Sequence, residues 1–299
     1  MRIGKLFHLT LLVDDLAGPE RFFNGIFSPM CTMHGYSAHW HRHAAIYVIA
    51  ETAIEPMHVL PPEPGDAATS WYRLMERFGP RIHNMAFYVD GSEELRGRLT
   101  AAGVRITEGG TASTVFTHPK DTPGMLEFHV PTGEGLPDPR WSPHWPAFRD
   151  DYWPRRHPLG LERLSHITVA VRDSSAARDF YVSVLDAVEL EERTPSEPGG
   201  EARYVLVGED TVVELLQPGD PSGATGRALQ TVGECITGAT FKVADLDRAE
   251  RHLRRLEAPI LSIGDHRIEI DRDRTWGAVY RFTDLALAGD SRSRGAGAR

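Results

Sequence analysis

His8, His83 and Glu127 each stand in a short apolar strand pattern, F-H-L-T-L-L-V, I-H-N-M-A-F-Y-V and M-L-E-F-H-V-P, in the first half of the chain. Two imidazoles and a carboxylate on inner strand positions make the 2-His-1-carboxylate set that binds Fe(II). The layout recurs in the second half as S-H-I-T-V-A-V around His166 and V-V-E-L-L-Q-P around Glu214. There Thr237 and Arg281 occupy the remaining positions, and an arginine where an ion should sit reads as a lost site. A Glu214–Arg281 salt bridge is its expected replacement, provided hydrogen-bonding geometry offsets the desolvation.

Other residues could serve a cleft beside such a site. The run His39-Trp40-His41-Arg42-His43, read as a strand, points its three histidines to one face and Trp40 and Arg42 to the other. Facing a cleft, His39 and His43 would bind an anionic group and His41 would shuttle protons. The bland alternative is an edge strand kept polar against aggregation. His34 and Tyr36 fall near the same mouth. Lys120, in the turn that Pro119 and Thr122-Pro123-Gly124 impose, could steer an anion. His129, two residues beyond Glu127, shares its face and is expected to brace it.

These residues need strands to hold them. Strand, amphipathic helix and further strands appear at residues 6–13, 18–26 and 44–60, again at 82–89, 93–102 and 114–130, then at 164–171, 174–185 and 203–216. The fourth copy covers 236–243, 246–256 and 260–282. The period of roughly 75 residues is that of a whole supersecondary unit, strand–helix–three strands. F-H-L-T-L-L-V-D-D-L beside S-H-I-T-V-A-V-R-D-S, each followed by an aromatic pair, carries the repeat. A unit with one unburied sheet face should pair with another around a shared cleft. This predicts an α+β fold: four βαβββ modules in two domains, residues 1–131 and 161–287. Between them residues 132–160 form a Pro- and Trp-rich connector expected to pack as a strap. Residues 288–299 read as a disordered tail.

At 299 residues and 41% apolar composition the chain can bury sizeable cores. A net charge of −9 without a basic cluster argues against nucleic acid. No run approaches a membrane span or a signal-peptide core, so a soluble cytoplasmic protein is expected. Cys31 and Cys235, one in each half, read as free thiols.

On these residues the chain resembles the vicinal oxygen chelate superfamily, which holds glyoxalase I, methylmalonyl-CoA epimerase, bleomycin resistance proteins and type I extradiol dioxygenases. The second module, with H-P-K-x-T-x-G ahead of Glu127, looks most like the epimerase. The resemblance implies paired βαβββ modules, a small-molecule substrate and one divalent ion (Fe, Zn, Ni, Co or Mn). His8, His83 and Glu127 would be ligands. The first module departs from the pattern, its last strand reading I-E-P-M-H-V-L-P-P. Glu127 and Glu214 each precede a proline by four residues, and the same spacing from Pro62 selects His58 as the fourth ligand. Counting from Pro61 selects Met57, a poor ligand for such ions. His58 could instead face the cleft as an acid or base.

Four protein ligands on a six-coordinate ion leave room for two substrate oxygens, which predicts an isomerase, epimerase or lyase abstracting a proton beside a carbonyl, with Glu127 and His58 as catalytic groups. Three ligands leave room for a catecholate and dioxygen, the ring-cleaving alternative. A metal-free binding protein of the antibiotic-resistance type is the third class, and a homodimer is possible.

Overall fold

The computed structural model describes residues 1–107, 111–131 and 152–294. The first half runs β1 (Ile3–Val13), α1 (Ala17–Phe27), β2 (Met30–Ser37), β3 (Arg42–Ile49), β4 (Thr52–Val59), α2 (Ser70–Phe78), β5 (Arg81–Val89), α3 (Ser92–Ala101), β6 (Thr114–Phe116) and β7 (Met125–His129). The second runs β8 (Leu161–Ala170), α4 (Ser174–Leu185), β9 (Val188–Glu189), β10 (Glu201–Val207), β11 (Thr211–Gln217), α5 (Ala224–Val232), β12 (Cys235–Val243), α6 (Leu246–Arg255), β13 (Ile260–Gly264), β14 (Arg267–Ile270) and β15 (Val279–Thr283).

The fold is α+β, with two mixed sheets ordered β2-β3-β4-β1-β5-β7-β6 and β13-β14-β15-β12-β8-β11-β10-β9. At the centre of each, the first strands of two modules pair antiparallel, β1 with β5 and β8 with β12. Each central strand also pairs in parallel with the last strand of its own module. Three modules are complete βαβββ units; in the second, among the described residues, the first strand after the helix shrinks to an Ile106–Thr117 bridge.

Alternation along β1 sends Leu9, Leu11 and Val13 into the main core, and His8, Thr10 and Leu12 to the opposite face. Asp173 and Asp245 start α4 and α6 by accepting from amides of the first turn. The helices α1, α3, α4 and α6 pack into one core that spans both halves. Phe27 of α1 meets Phe241 at 5.4 Å between ring centroids, and Phe23 meets Tyr280 at 6.0 Å. Polar contacts join the halves as well: the Tyr181 hydroxyl donates to the Pro123 carbonyl at 2.8 Å, and the Leu6 amide to Asp210 at 3.0 Å. The two sheets therefore share one interior.

Of the connector, Trp141 and Trp145 lie outside the described residues. Tyr152–Arg156 forms a π-helical turn with Trp153 buried. Arg248 donates to the carbonyls of Pro154 and Arg155 at 3.3 and 3.0 Å and to that of His157, so this part of the strap is held down. The start of the tail differs from expectation. Asp290 is buried, and Arg292 donates to the Ser165 carbonyl at 2.8 Å, the Leu164 carbonyl at 3.2 Å and the Asp210 carbonyl. One guanidinium satisfying several strand-end carbonyls orders a segment whose composition offers little to bury. Cys31 and Cys235 are free thiols. No helix among the described residues is long and apolar enough to cross a membrane.

Candidate metal centre

The concave face of the first sheet gathers its polar residues by strand register. Thr10 of β1 pairs with Glu55 of β4 on one side and Asn84 of β5 on the other; His8 pairs with Ala86, which pairs with Glu127 of β7. All four side chains, of His8, Glu55, Asn84 and Glu127, are buried. His8 Nε2 stands 3.3 Å from Glu55 Oε2 and 3.7 Å from Glu127 Oε2. Asn84 Nδ2 donates to Glu127 Oε2 at 2.6 Å, and His129 Nε2 hydrogen-bonds Glu127 Oε1. Arg42 Nη2 lies 3.1 Å from Glu55 Oε1, and its guanidinium covers the Trp71 ring at 5.2 Å. Burial alone would push the His8 imidazole down, but Glu55 and Glu127 reverse this and raise it. Burial would likewise raise the Glu127 carboxyl; the imidazoles of His129 and His8 outweigh it and hold that carboxyl far below its ordinary value. These groups floor an inner cavity of about 200 Å³. Trp40, Trp71 and Phe116 line it and also a second, outer cavity of about 1060 Å³.

The acid that reaches this face from β4 is Glu55, a residue the sequence reading missed, and not the His58 that the proline spacing predicts. In the structure His58 pairs with Val13 and His43, residues of the face opposite His8. It stands outside the cluster, both as a ligand and as an acid or base. The length of β4 is the reason: the strand continues past its acid before reaching the prolines, so counting four residues back from Pro62 stops short of Glu55. A second signal was present. Glu51-Thr52-Ala53-Ile54-Glu55 matches Asp210-Thr211-Val212-Val213-Glu214, which aligns the acids from the hairpin end.

His83 sits one residue from the position equivalent to His8. The register passes from Thr10–Asn84 to Leu11–Ile82, leaving His83 as the extra residue of a bulge. It lines the outer cavity, buried, with Nε2 unpartnered. Burial first, then Arg81, pushes its imidazole down to about 3, so it is neutral. Of the histidine run, residues 38–41 form the hairpin turn between β2 and β3, not strand. His41, at φ 48°, hydrogen-bonds the Pro61 carbonyl at 2.7 Å and Tyr36 at 3.1 Å, which makes it a turn clasp. The turn reverses the expected phase: Trp40 and Arg42 face the cleft, while His43 packs beside Tyr36 on the other face. His39 lines the outer cavity. Lys120 is exposed on its turn and lines neither cavity.

Residues 6–185 match the family described as glyoxalase-like domain, and residues 163–284 match the glyoxalase/bleomycin resistance protein/dioxygenase superfamily. The chain belongs to the glyoxalase-like domain family. Among solved structures, a triple mutant of 4-hydroxymandelate synthase from Streptomyces coelicolor covers 99% of this chain with 97% of its own, at 15% identity and a TM-score of 0.70. A xylose isomerase-like TIM barrel/4-hydroxyphenylpyruvate dioxygenase fusion protein covers 99% of this chain with 51% of its own, at 14% identity and a TM-score of 0.62. At these identities the likeness is one of fold. No curated protein matches the sequence.

Within this glyoxalase-like chain the two halves have diverged at matching positions. In the second half His166, Thr168 and Glu214 repeat His8, Thr10 and Glu55, with Thr168–Glu214 paired as Thr10–Glu55 are. Gly238 pairs with Thr168 as Asn84 does with Thr10, so Gly238, not Thr237, holds the equivalent place. A Cβ there would lie 2.4 Å from the Val279 carbonyl oxygen, which excludes a ligand side chain. Arg281, at the position of Glu127, pairs with Glu269 at 2.7 Å and Glu197 at 3.8 Å; the expected Glu214–Arg281 bridge does not form.

The first-half cluster fits a cation by charge. Glu55 and Glu127 are buried carboxylates whose partners are the Arg42 guanidinium and the His8 and His129 imidazoles, so a cation bound at His8 would take over the part that the His8 proton plays in that balance. Its donors are one imidazole, two carboxylates and an amide, an oxygen-rich set in place of the expected imidazole-rich one. Among the described residues no three His, Cys, Asp or Glu side chains already form an open ion-binding shell.

Proposed function

We propose that the first-half cleft is the active site of a divalent-metal-dependent enzyme that moves a proton beside a carbonyl of a small oxygen-bearing substrate. The observation that carries this reading is the convergence of His8, Glu55 and Glu127 on one buried point at the end of an open cleft. His8 Nε2, Glu55, Glu127 and the Asn84 amide would hold the ion, whose oxygen-rich shell favours Mn²⁺, Fe²⁺ or Zn²⁺. Bound there, the ion supplies Lewis acidity to two neighbouring substrate oxygens.

The chain's own groups supply the rest. Glu127 faces the inner cavity and takes the proton. His129, hydrogen-bonded to Glu127 with 26% of its side chain exposed, links that carboxylate to solvent and passes the proton on. Arg42, fixed between Glu55 and the Trp71 face, meets negative charge developing on a substrate oxygen. Trp40, Trp71 and Phe116 keep bulk water from the reacting end. Ring cleavage by an Fe(II) triad would need His83 where Asn84 stands.

The test is deuterium exchange followed by NMR, with Mn²⁺-, Fe²⁺- or Zn²⁺-loaded protein and a panel of small 2-hydroxy- and 2-oxo-carbonyl compounds. Exchange at the carbon beside the carbonyl, lost in Glu127→Gln, is expected. Oxygen uptake with catechols and no exchange would refute proton transfer in favour of ring cleavage. Ligand-induced stabilisation with neither activity would leave a binding protein.

A further inference from the structure

Beyond the buried cluster the cleft opens into the outer cavity, and the chemistry of its wall is divided. Its middle is apolar: Trp71, Leu74 and Phe78 of α2 face Met125 and Phe116 across it. No residue of the helix α2 is fully buried: Tyr72 and Met75 pack with Trp71 against Leu12, Ala44, Met57 and Val59, and Trp71, Leu74 and Phe78 turn to this space. Among the described residues the ionisable side chains on the lining are Arg73, Arg77, His39, His83 and His118, with no carboxylate. Arg73, Arg77 and His39 are exposed at the mouth. At the inner end His83, 4% exposed, has an Nε2 without a partner. A buried ring nitrogen left unsatisfied on a cavity wall marks where a ligand's polar group would be satisfied.

We propose that the outer cavity takes an anionic small molecule with a ring or similarly broad apolar body. The anion meets Arg73 and Arg77 at the mouth, and the body lies between Trp71 and Met125. His83 hydrogen-bonds a polar substituent at the inner end. This makes His83 a substrate-binding residue where the sequence suggested a metal ligand. The volume of about 1060 Å³ suits such a molecule, and the shared lining of Trp40, Trp71 and Phe116 delivers its inner end to His8, Glu55 and Glu127. The inference rests on the cleft being the substrate site of the proposed function.

The experiment uses the full chain without added metal, titrated with 2-naphthoate and with its neutral counterpart 2-naphthamide, and read by calorimetry and tryptophan quenching. Naphthoate should bind about tenfold more tightly than the amide, the gain expected from two solvent-facing cations, and this advantage should shrink with added salt. The double variant Arg73→Gln/Arg77→Gln should remove the difference and leave amide binding as it was. Leu74→Trp, which fills the cavity, should weaken both probes at least tenfold. Equal affinity for acid and amide, or a preference that survives the arginine substitutions, would overturn the anion assignment. Binding untouched by Leu74→Trp would place the probe elsewhere and overturn the cavity. The variant Glu55→Gln/Glu127→Gln separates this inference from the metal reading. Naphthoate must still bind to it, whereas undiminished uptake of Mn²⁺ or Zn²⁺ by the same variant would count against the metal centre alone.

Discussion

Replacing Glu55 by glutamine keeps the shape of the side chain and removes one of the two buried carboxylates that face His8. A pair of unit charges about 4 Å apart at an effective dielectric of about 20 interacts by about 4 kcal/mol, and a divalent ion would double that. Arg42, 3.1 Å from Glu55 Oε1, and the desolvation of the carboxylate return part of the gain. The expected loss is about 3 to 4 kcal/mol, two to three orders of magnitude in Mn²⁺ or Zn²⁺ affinity. His58→Ala, on the reverse face of the same strand, should leave affinity within about twofold, since remote surface changes cost little. Competition against a chromophoric chelator measures both, with circular dichroism to show that each variant is folded. If His58→Ala loses the ion while Glu55→Gln keeps it, the strand register argued above is wrong. If neither affects it, the ion binds elsewhere.

Three further outcomes follow from the packing and the charges. Burial, with Asp210 adding to it, raises the Glu51 carboxyl to about 7, above its ordinary 4.5, despite the Leu164 amide it accepts at 2.9 Å and nearby Arg292. The folded state therefore holds this proton more firmly. The stability it contributes is full below about pH 4.5 and is lost as pH rises through about 7, at most about 3 kcal/mol. Glu51→Gln should flatten that slope in denaturant titrations from pH 5 to pH 8. Phe27→Ala, removing a fully buried ring between α1 and the second sheet, should cost about 3 to 5 kcal/mol; calorimetry should show one transition shifted as a whole, and two separated transitions would refute a common core. Gly208→Ala should destabilise by about 2 kcal/mol or more, because Gly208 has φ +62° and a Cβ would meet the Gly4 carbonyl oxygen at 2.0 Å; an unchanged melting temperature would refute it.

The sheets, their repeats and the facing of Glu127 and His129 could be read in the sequence because hydrophobic alternation and strand phase survive in β1, β7, β8 and β11. What escaped was whatever breaks phase. Alternation cannot reveal an inserted residue, so the bulge that turns His83 aside and brings in Asn84 had no local signature. The left-handed backbone at His41 ended a strand that the spacing of His39, His41 and His43 seemed to continue. Anchoring β4 at its proline failed because the distance from acid to proline varies with strand length, whereas the acid-Thr-x-x-Glu start at the hairpin is held by the turn. The turn at His41 also puts Arg42, the cation nearest the cluster, on the face opposite to the one that strand alternation predicts.

The two clefts began from one plan, and they differ in how far the chain satisfies its own charges. In the second half Glu214 accepts from Thr168 Oγ1 at 2.6 Å, the Ser196 amide at 2.6 Å and the Tyr204 hydroxyl at 2.9 Å, and Arg281, in place of the second carboxylate, is matched by Glu269. These neutral donors fill the oxygens of Glu214 that an ion would need, and the segment bearing Ser196 lies where a ligand would enter. In the first half no such segment among the described residues reaches Glu55. Its carboxylate and that of Glu127 share His8 between them, with one guanidinium for the pair. A buried site stays open to a ligand when the chain's own segments and donors do not fill it, and by that criterion, among the described residues, the first cleft is open and the second is closed.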